Sequence, residues 1–168
     1  IRTAHNPPAP ELLELTDEMG FLVMDEVFDV WSKSKVEYDY SVYWEDWHER
    51  DLRDFIKRDR NHPSVVMWSI GNEILEQWGD PAGTEIAREL AEIVRSLDTT
   101  PAITDGMNPP NEGNTIATSG ALDVIGYNYH HELYPEHYEN FPGTPMIATE
   151  TTSALATRGA YDIYLPSD

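Results

Sequence analysis

The chain has 168 residues, 31 of them acidic and 11 basic, so its formal net charge is −20, and it contains no cysteine. The length suits one domain or part of a larger one, and 40% hydrophobic residues with 5 Trp, 9 Tyr and 4 Phe suffice for a packed core. This composition excludes a disulfide framework, a thiol nucleophile and a thiolate zinc site, and the acidity argues against nucleic acid or an anionic membrane surface as partner.

The chain opens on Ile1-Arg2-Thr3-Ala4-His5, which reads as the tail of a strand whose beginning lies outside it, so a fragment is expected. No signal-peptide pattern opens it and no apolar run approaches the roughly 20 residues that span a bilayer. The compartment stays open on that reading. Pro10 to Met19 reads as a helix with Leu12, Leu13 and Leu15 on its apolar stripe and Gly20 as its stop. The run Phe21-Leu22-Val23-Met24 is too short for a helix and suits a buried strand, which ends in Asp25-Glu26.

Tyr43 to Arg60 is helical, with Trp44, Trp47, Leu52, Phe55 and Ile56 spaced for one buried face. Arg60-Asn61-His62-Pro63 reads as a structural turn before the strand Val65–Ile70, which runs into Gly71-Asn72-Glu73. Pro81 to Leu97 is the clearest helix, with Ile86, Leu90, Ile93, Val94 and Leu97 on one face. Short strands follow at Pro101–Thr104, Asp123–Tyr127 and Met146–Thr149, ending respectively in Asp105, in Asn128-Tyr129-His130 and in Glu150. The connections after Asp105 and His130 are rich in Pro, Asn and Gly and have room only for short helices.

Alternating strands and helices predict a parallel sheet. Parallel strands point one way, so Asp25, Glu26, Asn72, Glu73, Asp105, Tyr129 and Glu150 gather at the C-terminal edge, where α/β proteins build their sites. Glu73 and Glu150 are the leading pair, since two carboxylates across a cleft can divide acid and nucleophile roles. Their spacing in sequence leaves retaining and inverting glycoside chemistry both open, at separations of about 5–5.5 Å or about 6.5–9.5 Å. Arg2 can hold the nucleophile ionised or pair structurally with Asp25 or Glu26. Tyr129 can donate to the same carboxylate, and His5 can bond a substrate hydroxyl. Trp31 and Trp78 follow strand ends and are the better candidates for stacking on sugar faces. There is no phosphate loop, nucleophile elbow or H-E-x-x-H metal pattern.

Four stretches carry a family resemblance: Ile1-Arg2-Thr3-Ala4-His5-Asn6-Pro7, Phe21–Glu26, Arg58-Asp59-Arg60-Asn61-His62-Pro63-Ser64-Val65 and Trp68-Ser69-Ile70-Gly71-Asn72-Glu73. Together they resemble the catalytic domain of glycoside hydrolase family 2, which includes β-galactosidases, β-glucuronidases and β-mannosidases. The resemblance runs through nearly all of residues 1–168 and implies one partial (β/α)8 TIM barrel domain with a retaining mechanism. It implies Glu73 as acid/base, at the end of the fourth barrel strand, and Glu150 as nucleophile, at the end of the seventh. It further implies Asn72 beside the sugar 2-hydroxyl, Arg2 and Tyr129 around the nucleophile, His5 in the sugar subsite, and Asp25 among the supporting residues.

By that count the chain runs from the end of strand 2 to just past strand 7, with the rest of the barrel and the preceding β-sandwich domains expected outside it. An open barrel leaves edges unpaired, so the isolated segment is expected to be marginally stable and inactive. Tyr127-Asn128-Tyr129-His130 and Ala148-Thr149-Glu150-Thr151-Thr152-Ser153-Ala154 look most like the bacterial β-galactosidase branch, so the expected partner is a β-galactoside-containing carbohydrate, hydrolysed without a cofactor. Asp25-Glu26-Val27-Phe28-Asp29-Val30-Trp31 lacks the Glu-x-His pair that holds Mg²⁺ in the metal-dependent members, so no metal is expected.

Overall fold

A computed structural model describes residues 1–152. Its order is α1 (Pro10–Met19), β1 (Val23–Glu26), α2 (Trp44–Asp59), β2 (Val65–Asn72), α3 (Pro81–Leu97), β3 (Ala102–Met107), β4 (Ile125–Asn128), α4 (Tyr134–Asn140) and β5 (Met146–Glu150). Short 3-10 turns fill the connections, including Ala117–Ser119 and His131–Leu133 where only short helices were expected.

The five strands lie in sequential order β1-β2-β3-β4-β5, and each neighbouring pair is parallel. Arg2 forms a further parallel bridge to Met24, which extends the arc past β1 with the segment read as a strand tail. The arrangement is part of a (β/α)8 barrel, with helices on its convex side.

Local chemistry sets the helix bounds. Both α1 and α3 place Pro in the first turn, where its missing N–H costs nothing. Asp80 caps α3 by accepting from Ala82 N at 2.9 Å. Gly20 ends α1 at φ 74°, in the left-handed region. On α1 only Leu13 and Thr16 are buried, whereas Leu12 and Leu15 of the expected stripe are exposed. Phe21 and Leu22 are exposed too, and the strand starts only at Val23. On α2, Trp47 leaves the expected buried face and lies under the Arg50 guanidinium, 4.7 Å from the ring centre.

The main core fills the space between the convex face of the sheet and the helices. Phe55 of α2 meets Trp68 of β2 edge-on at 5.4 Å, and Leu52, Ile56, Leu90, Val94 and Ile103 are fully buried or nearly so. Each such side chain contributes about 1.5–3 kcal/mol of apolar burial. Trp31 belongs to this core and not to a sugar platform: it is fully buried and its indole N–H donates to Ile70 O at 2.9 Å. The turn at Arg60–Pro63 is structural, as expected, with His62 Nδ1 2.6 Å from Asp17 Oδ2 and Ser64 N donating to the same carboxylate.

Candidate active site

Side chains alternate along each strand, and this decides which strand-end acids reach the barrel interior. Val23 and Asp25 of β1 face the helices; Met24 and Glu26 face inward. Asp25 is fully buried, takes a hydrogen bond from Thr3 Oγ1 at 3.0 Å, and lies beside Asp59, which Arg58 grips at 2.6 Å through two nitrogens. Burial and the neighbouring Asp59 push Asp25 up to about 7. Asp25 therefore lies outside the inner cluster. A one-residue step along β1 puts Glu26 there instead.

Glu26 is the buried anchor of the inner cluster. Its carboxylate accepts from Arg2 Nε at 2.9 Å, Arg2 Nη2 at 3.0 Å and Ser69 Oγ at 2.7 Å, with His5 Nδ1 at 3.0 Å. Arg2 is thus paired in both of the ways that the sequence left open. While bonded to Glu26, it also donates from Nη1 to Glu150 Oε1 at 2.6 Å and from Nη2 to Asn72 Oδ1 at 2.7 Å. The guanidinium fits because position 106 is glycine: a Cβ there would stand 2.9 Å from Arg2 Nη2 and 3.2 Å from Asn72 Oδ1.

Glu150 closes β5. The Tyr129 hydroxyl donates to its Oε2 and Tyr129 N donates to its backbone carbonyl at 2.7 Å. Partial burial alone raises a carboxyl's pKa, but here the Tyr129 hydroxyl and the Arg2 guanidinium outweigh it and hold Glu150 below the usual carboxylate range. The same contact pushes the Tyr129 phenol up to about 12. His5 sits at the rim with Nε2 3.9 Å from Glu150 Oε1, and its bond to Glu26 raises its pKa.

Glu73 is held differently. Its φ of 45° is left-handed, as are those of Tyr129 (60°) and His130 (47°), so the backbone turns sharply at the ends of β2 and β4. Such conformations cost on the order of 1–3 kcal/mol each and persist where surrounding contacts fix them. Here Glu73 N donates to Gly106 O at 2.6 Å. The Glu73 side chain accepts from two neutral amides, Asn108 Nδ2 and Asn128 Nδ2, each at 3.1 Å and each on Oε1. Asn128 Nδ2 also reaches Asn72 Oδ1 at 3.1 Å, so one network runs from Glu73 through Asn128, Asn72 and Arg2 to Glu150. Beside it, Asn72 Nδ2 donates to Asp29 Oδ1 at 3.0 Å, and Lys35 Nζ bridges Asp29 Oδ1 and Asn72 O at 2.9 and 2.7 Å.

The structure thus brings together Arg2, His5, Asn72, Glu73, Tyr129 and Glu150, leaves Asp25 out, keeps Glu26 of the strand-end acids, and adds Asp29, Lys35, Asn108, Asn128 and His130. Asn128 and His130 stood at a strand end in the sequence and could have been found there. Asn108 lies three residues past Asp105, where β3 was expected to end. Asp29 and Lys35 sit in a long loop with no periodic signal. Trp78 is well exposed after β2. Ser153 and Ala154 of the motif around Glu150 lie outside the described residues. Among the described residues, no cluster of three or more His, Cys, Asp or Glu is arranged to hold a metal ion.

Carboxylates in two contrasting settings at the C-terminal edge of a parallel sheet define a barrel protein with an acid-pair site. Residues 1–162 match the family described as "Glycosyl hydrolases family 2, TIM barrel domain", and the chain belongs to glycoside hydrolase family 2. It is 50% identical to the β-galactosidase BoGH2A of Bacteroides ovatus, a match that covers the whole chain and 23% of that protein. A putative β-glucuronidase of Formosa agariphila is 34% identical over 96% of the chain and 14% of its own length. A crystal structure of a family 2 member from Bacteroides cellulosilyticus superposes with a TM-score of 0.83 at 41% identity, covering 89% of this chain and 19% of that one. The chain therefore spans under a quarter of the length of each of these relatives.

Proposed function

We propose that these residues carry the catalytic centre of a retaining β-glycosidase that removes terminal β-D-galactosyl groups. The observation that carries the reading is the asymmetry of the two glutamates. Glu150 is kept ionised by a guanidinium and a phenol, as a nucleophile requires, whereas Glu73 is bonded only to neutral amides among the described residues.

The chemistry proceeds in two displacements. Glu150 attacks the anomeric carbon, the glycosidic bond breaks, and Glu73 gives its proton to the departing oxygen. A glycosyl ester on Glu150 results. Glu73, now a carboxylate, takes a proton from water as that water attacks the same carbon, and the sugar leaves with its β configuration kept. Arg2 and Tyr129 stabilise Glu150 as it leaves the sugar in the second step. Glu150→Gln keeps the shape of the side chain but removes its charge, so turnover is expected to fall by several orders of magnitude, as measured by steady-state hydrolysis.

The galactoside assignment rests on the 50% identity to a β-galactosidase along the whole chain. A β-glucuronidase is the second reading, favoured by the Formosa agariphila relative. It needs a cation for the uronate, and among the described residues Arg2 and Lys35 at this edge are already bonded to carboxylates. The test is a panel of p-nitrophenyl β-galactoside, β-glucuronide, β-mannoside and β-glucoside with the barrel complete. Release confined to the galactoside is the expected result. Release from the glucuronide or mannoside alone overturns the sugar but not the chemistry. No release from any of them by a folded protein favours a carbohydrate-binding relic.

A further inference from the structure

Glu73 has two oxygens, and the protein treats them unequally. Both amide donors fall on Oε1; among the described residues Oε2 receives no side-chain donor. Building on the proposed acid/base role of Glu73, we propose that Asn108, held by His130, is a positioning residue that makes Oε1 the carbonyl oxygen of the protonated acid and directs its proton to Oε2, the oxygen presented to the leaving group.

The argument begins with donors and acceptors. A carboxylic acid has one carbonyl oxygen, which accepts, and one hydroxyl, which donates. Two N–H groups aimed at a single oxygen oppose a hydrogen on that oxygen, so the proton resides on the other. Which way the Asn108 amide faces is settled by its neighbours. Its Nδ2 is 3.1 Å from Glu73 Oε1, while its Oδ1 is 2.8 Å from His130 Nε2. Reversing the amide would set its oxygen against an oxygen of the carboxylate, which can only accept. His130 must then carry hydrogen on Nε2, and its Nδ1 lies on the side of Glu132 Oε1, 3.6 Å away. The backbone of Asn108 is pinned as well, its N–H donating to Gln77 Oε1 at 3.0 Å.

Asn128 makes the second contact with the same polarity. Asn72 Oδ1 accepts from Arg2, which can only donate, and also from the Asn128 amide at 3.1 Å, so Nδ2 is the end of Asn128 that meets Glu73. His130 has a left-handed φ of 47°, and its ring meets Asn108 just past the end of β3. The strained turn thus has a use, which is to aim a ring nitrogen at the amide that orients the acid.

In function, the directed proton matters most where the leaving oxygen needs it. A phenolate leaves slowly without a proton, whereas 2,4-dinitrophenolate leaves readily as the anion. The test compares kcat/KM for the phenyl and 2,4-dinitrophenyl β-glycosides of the sugar preferred in the panel above. Asn108→Ala is expected to lower the value for the phenyl glycoside by about 10- to 100-fold and that for the dinitrophenyl glycoside by less than about 3-fold. His130→Leu should show the same selectivity, and His130→Gln, which keeps an N–H donor, should recover most of the loss. His130 is partly exposed, so its variants test the proposal even if Asn108→Ala does not fold.

Equal losses on both substrates, or no loss on either, overturn the proposal, because a merely structural role does not depend on the leaving group. Glu73→Ala separates the two levels of the argument. A selective loss there with none in the Asn108 and His130 variants removes only the positioning role. A non-selective loss in Glu73→Ala removes the acid assignment, and the positioning role falls with it.

Discussion

Single residues at this site work by contrast. Glu150 and Glu73 are chemically identical, and what separates them is the company each keeps: Arg2 and the Tyr129 hydroxyl for one, two carboxamides for the other. The tyrosine contribution can be isolated. Tyr129→Phe removes a donor that favours the carboxylate form, so the pKa of Glu150 rises. A nucleophile must be ionised, so the acidic limb of kcat/KM is expected to move to higher pH in Tyr129→Phe, as read from a pH profile on one aryl glycoside. An unchanged limb would remove Tyr129 from the tuning of Glu150. Arg2 has no such conservative replacement. Its planar fork serves Glu26, Glu150 and Asn72 together, and the single ammonium of Arg2→Lys cannot match that geometry.

At the level of elements, close approach overrides local preference. Gly83 lies in the first turn of α3, where alanine is the better helix former by about 1 kcal/mol. A Cβ at that position would stand 2.5 Å from Glu76 O and 2.5 Å from Thr115 Oγ1. The first of these is backbone and cannot swing aside. Gly83→Ala is therefore expected to destabilise the protein by about 1–3 kcal/mol, opposite in sign to helix propensity, as measured by urea unfolding. The element scale also explains where the sequence reading missed. The leucines of α1 and Trp47 of α2 have helical spacing, but a barrel helix buries only the stripe that meets the sheet and its neighbours. Spacing alone leaves the edges of that stripe undefined.

For the molecule as a whole, burial leaves one strand-end acid without a partner. Asp105 of β3 is fully buried with no hydrogen-bond partner on either oxygen among the described residues. Burial, with Glu26 next, pushes it up to about 8. In the unfolded chain an aspartate releases its proton near pH 4. Between those values the folded protein binds the extra proton, so this group makes stability fall as pH rises from about 4 to about 8. Asp105→Asn removes the titration while keeping the shape. Its unfolding midpoint is expected to decline less steeply than the parent's between pH 5 and pH 8, and the variant to be the more stable of the two at pH 8. Identical slopes would show that Asp105 does not hold its proton in the fold.

Much of this was legible in the chain itself. Alternating apolar runs fixed a parallel sheet because a strand buried on both faces must be apolar until it leaves the sheet, and the return of polarity marks that exit. Glu73, Tyr129 and Glu150 were visible for that reason, and the R-D-R-N-H-P-S-V and W-S-I-G-N-E stretches pointed to the family. What only the tertiary structure decided was orientation and partnership. Asp25 and Glu26 are adjacent acids at one strand end, and the pleat sends one to the helices and the other to the site. Asn108 and Asn128 come from two different strand ends and meet Glu73, at the end of a third, only because the sheet curves. Hydrogen bonds between residues this far apart in sequence have no local signature. They depend on a direction and a distance of a few ångströms, which packing sets and composition does not.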